Sequence, residues 1–143
     1  MPRVERSALV PYSCEQMFDV VLDVEAYPSF LPWCSGARVL EYTGDVQVGE
    51  LELSRAGMTQ RFATRNRLVH PSSISLELVS GPFRKLSGEW RFVALGDAGC
   101  KVELTLTFEP DGRVMKMALG QLWRMAADRM VDAFCERAEV VYG

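Results

Sequence analysis

The sequence predicts an α+β domain in which a curved antiparallel sheet of about seven strands is packed against one long C-terminal helix. Three observations carry this. A short strand-like segment leads straight into a capped helix near the N-terminus. The middle of the chain then alternates apolar and polar residues in strand-length segments separated by turn residues. Last, an apolar stripe at three- and four-residue spacing runs to the C-terminus. At 143 residues the chain has the size of one domain, and such a domain buries roughly 68 to 70% of its unfolded surface. It contains no repeat, linker or low-complexity segment.

Arg3 to Val10 (RVERSALV) reads as the first strand. Ser13 and Gln16 then form an S-x-x-Q capping box, with Tyr12 and Met17 placed as a hydrophobic staple, so a helix starts at Cys14 and runs to about Leu22. The segment YPSFLPWC, Tyr27 to Cys34, follows. Pro28 and Pro32 disfavour the helical region for the residues before them and remove two amide donors, so this stretch is read as a loop with no regular helix through it. It nevertheless carries Tyr27, Phe30, Leu31 and Trp33.

Turn chemistry at Thr43-Gly44-Asp45, Ala56-Gly57, Pro71-Ser72, Gly81-Pro82, Gly96-Asp97 and Asp111-Gly112 divides the rest of the sheet into an antiparallel meander. Alternation assigns the inner face. Leu51 and Leu53 oppose Glu50 and Glu52; Ile74, Leu76 and Leu78 oppose Ser75 and Glu77; Trp90 and Phe92 oppose Glu89 and Arg91; Val102, Leu104, Leu106 and Phe108 oppose Lys101, Glu103 and Thr105. On one strand the inner parity reads Phe62, Thr64, Asn66, Leu68, so two polar groups face inward there, while Arg61, Arg65 and Arg67 face outward. A final helix is predicted from about Val114 to Tyr142, its inner stripe drawn through Met115, Leu119, Leu122, Ala126, Met130 and Ala133. Gly120 inside that helix costs roughly 1 kcal/mol relative to alanine, which points to a close contact or a bend.

The composition excludes several classes. A net charge of -3 argues against a surface that grips nucleic acid all over. The four cysteines, Cys14, Cys34, Cys100 and Cys135, include no C-x-x-C pair, and His70 is the single histidine, so neither a metal site nor a redox role is assigned and the cysteines are read as small buried hydrophobes. No signal segment and no run of 18 apolar residues is present, so the expectation is a soluble protein of a reducing compartment. No nucleophile has a histidine partner, there is no phosphate loop, Glu50 and Glu52 lie on the wet face, and His70 before Pro71 is read as a surface structural residue. No catalytic residue is therefore assigned.

YPSFLPWC after the first helix, GPFRKLSGEWRF across the fifth turn, and FCERA within a long last helix resemble the coenzyme Q-binding and ribosome-association-toxin family. That family belongs to the helix-grip superfamily of START-like lipid-transfer and polyketide-cyclase-like proteins. The resemblance covers essentially the whole chain. It implies a hydrophobic cavity between sheet and last helix, used by some members for an isoprenoid quinone, and it equally implies toxins that bind the large ribosomal subunit and block subunit joining.

Within that frame Tyr27, Phe30, Leu31 and Trp33 either plug the core or gate the cavity mouth, and the gate is the reading adopted. The remaining ligand-binding candidates are Phe62, Thr64, Asn66, Phe83 at the mouth, Trp90, and Leu119, Leu122, Trp123 and Met130 on the last helix. Arg137 on the same stripe is expected to snorkel outward. Arg61, Arg65, Arg67, Arg84 and Lys85, with Arg91 nearby, are the candidate surface for ribosomal RNA or an anionic membrane. The function expected is non-enzymatic binding of an isoprenoid quinone or similar lipid in support of respiration, in the cytoplasm or peripherally at the inner membrane, with no cofactor besides the bound lipid. The alternative is the ribosome-association toxin.

Overall fold

A computed structural model describes residues 3–55, 57–97, 99–110 and 120–143. Side chains are not described at 55, 58, 110 and 120–122. The elements follow the predicted order: β1 (Arg3–Val10), α1 (Cys14–Leu22), a 3-10 helix (Val24–Ser29), β2 (Cys34–Tyr42), β3 (Val46–Arg55), β4 (Met58–Val69), β5 (Ser73–Ser80), β6 (Phe83–Leu95), β7 (Gly99–Pro110) and α2 (Gly120–Tyr142). The strands form one seven-stranded antiparallel sheet in the order β1-β7-β6-β5-β4-β3-β2, so the first strand joins the sheet beside the last.

Local chemistry accounts for α1. Ser13 accepts from the Gln16 amide at 3.1 Å, and the Gln16 side chain accepts from the Ser13 amide at 2.9 Å, the reciprocal capping box that the sequence predicts. The loop reading of the next segment is corrected. Val24–Ser29 is a short 3-10 helix with Pro28 inside it. The proline is accommodated because it lies on the solvent side, while the hydrogen bonds fall on either side of it, from Ala26 N to Asp23 O at 3.2 Å and from Leu31 N to Tyr27 O at 2.9 Å.

Alternation identifies the buried face of the sheet well. Ile74, Trp90, Phe92, Val102, Leu104, Leu106 and Phe108 are buried, and Leu51, Leu76 and Leu78 are half-buried against them. The turn between β5 and β6 needs its glycine: Gly81 has φ +143°, and a Cβ there would stand 2.5 Å from that of Phe62.

The buried stripe of α2 is displaced from the predicted one. Trp123, Ala126, Ala127, Val131, Phe134 and Ala138 are buried, whereas Met130 and Ala133 are only partly so. The two large aromatic side chains decide the rotation of the helix, because each seats edge-to-face in a ring of sheet and loop aromatics. Trp123 lies 5.1 Å from Phe62, 5.0 Å from Phe83 and 5.7 Å from Phe108 between ring centroids. Phe134 lies 5.0 Å from Tyr27, 5.4 Å from Phe30 and 5.1 Å from Trp90. Val114, Met115 and Leu119 fall outside the described residues, as does the side chain of Leu122.

Candidate functional site: a small cavity and an arginine face

Between the inner face of the sheet and α2 lies a cavity of about 70 Å³. Its walls are almost wholly apolar, lined by Val21 and Val24, by Leu104 and Leu106 from the sheet, and by Met130 and Phe134 from α2. Three polar side chains interrupt this surface. Thr64 Oγ1 donates to Asn66 Oδ1 at 2.7 Å, Asn66 Nδ2 donates to Gln47 Oε1 at 2.9 Å, and Gln47 Nε2 donates to the Leu22 carbonyl at 2.9 Å. Gln47 and Asn66 are only 4% and 5% exposed, so the chain satisfies groups that would be costly to bury alone. It ends on a carbonyl in the last turn of α1, where helix geometry leaves acceptors without an intrahelical donor.

All three bonds run in one direction, and this sets the chemistry of the cavity. The Thr64 proton is committed to Asn66, so toward the cavity Thr64 offers oxygen lone pairs. Trp123 also lines the cavity, and its buried indole N–H has no hydrogen-bond partner among the described residues. One acceptor and one unused donor thus border an apolar space.

The structure brings Tyr27, Phe62, Thr64, Asn66, Trp90, Trp123 and Met130 together around this cavity. Phe30, Leu31, Trp33 and Phe83 do not line it. Phe83, expected at the mouth, is 5% exposed and packs on Phe62 and Trp123, because the first residue of β6 points into the core beneath the Gly81 turn. The YPSFLPWC segment is closed down as a plug rather than held open as a gate. Leu31 and Trp33 are buried, and the Tyr27 hydroxyl donates to the Val21 carbonyl. Burial, the larger influence, and nearby Cys34 and Asp23 push the Tyr27 pKa well above its ordinary value. Arg137 does not simply snorkel: its guanidinium carbon stands 5.2 Å above the Phe30 ring and covers the plug from outside. Gln47 was not among the candidates, although it shares the inward parity of Leu51 and Leu53 and the alternation of β3 points to it.

On the opposite side of the sheet the arginines are interleaved with carboxylates. Arg61 donates to Glu52 at 2.7 Å and Arg38 to Glu50 at 2.9 Å, so both carboxylates of β3 are engaged by cations. The hydrogen bonds from Arg61 and then Ser35 hold the Glu52 carboxyl below its usual pKa. Arg84 lies 3.8 Å from Glu109, and Arg91 3.4 Å from Glu89. Arg65 and Arg67 differ: both are exposed, and among the described residues neither has an ion-pair partner. His70 is a surface residue, with Asp19 3.7 Å from Nε2 and its ring edge-on to Phe18. Among the described residues no three His, Cys, Asp or Glu side chains cluster as metal ligands, and no helix is long and apolar enough to cross a membrane.

Residues 10–135 match the family described as "Polyketide cyclase / dehydrase and lipid transport". The chain belongs to that family. Its architecture agrees: a START superfamily protein from Mycobacterium smegmatis superposes with a TM-score of 0.80 at 23% identity, over 97% of this chain and 98% of the other. Among curated proteins, the "Ribosome association toxin RatA" of Pseudomonas aeruginosa is 49% identical over 140 residues, covering 98% of this chain and 97% of the relative. The "Coenzyme Q-binding protein COQ10 homolog B, mitochondrial" of Xenopus laevis is 28% identical over 142 residues, and the match covers 96% of this chain and 58% of that protein. This polyketide cyclase and lipid-transport fold is therefore shared by relatives named for two quite different activities.

Proposed function

We propose that this chain associates with the ribosome as a toxin-type inhibitor, with the large subunit as its target and with no catalytic step of its own. The observation that carries this reading is the 49% identity, over nearly the full length of both chains, to a protein named for ribosome association. The cavity supports it. Ligand sites for small molecules run from roughly 300 to 1,000 Å³, whereas this one is about 70 Å³, filled from all sides by the protein's own aromatic side chains. An activity carried on the surface needs no larger space. This reverses the order of the two functions that the sequence motifs imply. The test is cosedimentation of the purified protein with isolated large subunits across a salt series. Binding at low salt that falls steeply as salt rises is expected, because cations that contact phosphate release counterions. No cosedimentation even at low salt would overturn the proposal.

A second reading is favoured by the Trp123 indole donor, unused among the described residues, and the Thr64 acceptor beside the cavity. On this reading the family's hydrophobic site takes an apolar molecule bearing a carbonyl or hydroxyl group, an isoprenoid quinone being one, when the YPSFLPWC plug and α2 move apart. Met130 lines the cavity from α2, and Met130→Trp is expected to fill it and abolish uptake while leaving a folded protein. Mass spectrometry of organic extracts measures this directly. A compound recovered from the wild type and lost from the variant is the expected result, and extracts of the wild type that hold no such compound would remove the reading.

A further inference from the structure

Cys14 and Cys100 are 86 residues apart in sequence, yet their Sγ atoms lie 3.2 Å from each other, with the Cys14 thiol donating to Cys100. The fold creates the pair. Cys100 is the second residue of β7 and stands in register with Val10 at the end of β1, and Cys14, the first residue of α1, comes back over it through the short turn between. The two sulfurs differ in access. Cys100 has no exposed surface, whereas Cys14 is half-buried and lines an open surface hollow together with Ser13, Pro71, Ser72 and Phe92. Burial, the larger influence, and the close contact with the Cys14 sulfur push the Cys100 thiol up to about 12. The other two cysteines are placed differently. Cys34 is buried and its thiol donates to the Gly36 carbonyl at 3.3 Å, and burial with Asp132 and Glu136 pushes Cys135 up to about 11.

We propose that Cys14 and Cys100 form an oxidation site, in which hydrogen peroxide entering from the hollow converts the pair to a disulfide that ties α1 to β7. The Cys14 thiolate attacks one peroxide oxygen. A sulfur–oxygen bond forms, the oxygen–oxygen bond breaks, and the departing hydroxide takes up the Cys14 proton as water, leaving Cys14 as a sulfenic acid. The Cys100 sulfur then attacks the Cys14 sulfur. The sulfur–sulfur bond forms, the sulfur–oxygen bond breaks, and the hydroxide leaves with the Cys100 proton as a second water. One peroxide is reduced by two electrons and two thiols are oxidised by two. The sulfurs need only close from 3.2 Å to the disulfide length of about 2.0 Å, a side-chain movement at the start of a helix. Because the Cys14 side chain faces solvent on one side and Cys100 on the other, the sulfenic acid is met by its partner before a second oxidant arrives.

The experiment treats the purified full chain with hydrogen peroxide, then counts free thiols and maps the digest without reductant. Of four thiols, two should remain, with a peptide joining Cys14 to Cys100 that dithiothreitol separates. Cys14→Ser should abolish that crosslink, and Cys34→Ser should retain it. The oxidised wild type should also melt several degrees higher than the reduced protein, since a crosslink across this span restricts the unfolded chain, and the difference should vanish on reduction. The proposal is overturned if four thiols persist, if Cys14 accumulates as sulfinic acid without a crosslink, or if the bond formed is Cys100 to Cys135.

Discussion

Phe134→Ala is expected to destabilise the protein by about 3 to 5 kcal/mol, the range seen when a fully buried phenylalanine is truncated. Phe134 is 1% exposed and is the point at which three elements meet, touching the rings of Tyr27, Phe30 and Trp90. Its removal leaves a hole beside a cavity that already exists, and the edge-to-face partners lose their shared neighbour at the same time. Urea unfolding followed by tryptophan fluorescence measures the loss. Phe30→Ala should cost less, because Phe30 is only half-buried and keeps Arg137 on its outer side. A loss for Phe134→Ala below about 1 kcal/mol would show that α2 is not anchored by this cluster.

The Arg65→Glu, Arg67→Glu double variant is expected to eliminate cosedimentation with large ribosomal subunits at moderate salt, and to reduce the slope of log affinity against log salt by about 2. This follows from the proposed function and from the geometry of the outer face. Arg65 and Arg67 are exposed cations without ion-pair partners among the described residues, so their full charge is available to phosphate. Arg61→Glu should have a smaller effect, since Arg61 is held by Glu52 at 2.7 Å and its charge is already offset. The fold should be untouched in both variants, because these side chains point away from the core. If the double variant cosediments as the wild type does, the ribosome contacts lie elsewhere on the surface.

The physical reason that so much of the fold was legible is that it rests on local rules. The Ser13–Gln16 capping box, the two-residue alternation of β3 to β7 and the turn residues between them each act over a few positions, and the structure places elements where those rules put them. The inward polar parity of Thr64 and Asn66 was legible in the same way. Pro28 was misleading because the rule for proline is stated against the α-helix, and a two-turn 3-10 helix with the ring facing solvent evades it.

The rest required the tertiary structure. Which side of α2 is buried was decided by where Trp123 and Phe134 found aromatic partners on the sheet, contacts that no spacing within the helix records. Phe83 looked like a mouth residue from its place beside a turn and became core because the sheet curves over it. The arginines form one stripe in sequence, but cross-strand register with β3 engages Arg61 and leaves Arg65 and Arg67 without an ion-pair partner among the described residues. The four cysteines read as isolated, and only the pairing of β1 with β7 brings Cys14 against Cys100. Sequence determined the elements and the faces they present, through interactions a few residues long; the closing of the sheet around α2 decided which of those faces meet, because such contacts join residues far apart in the chain.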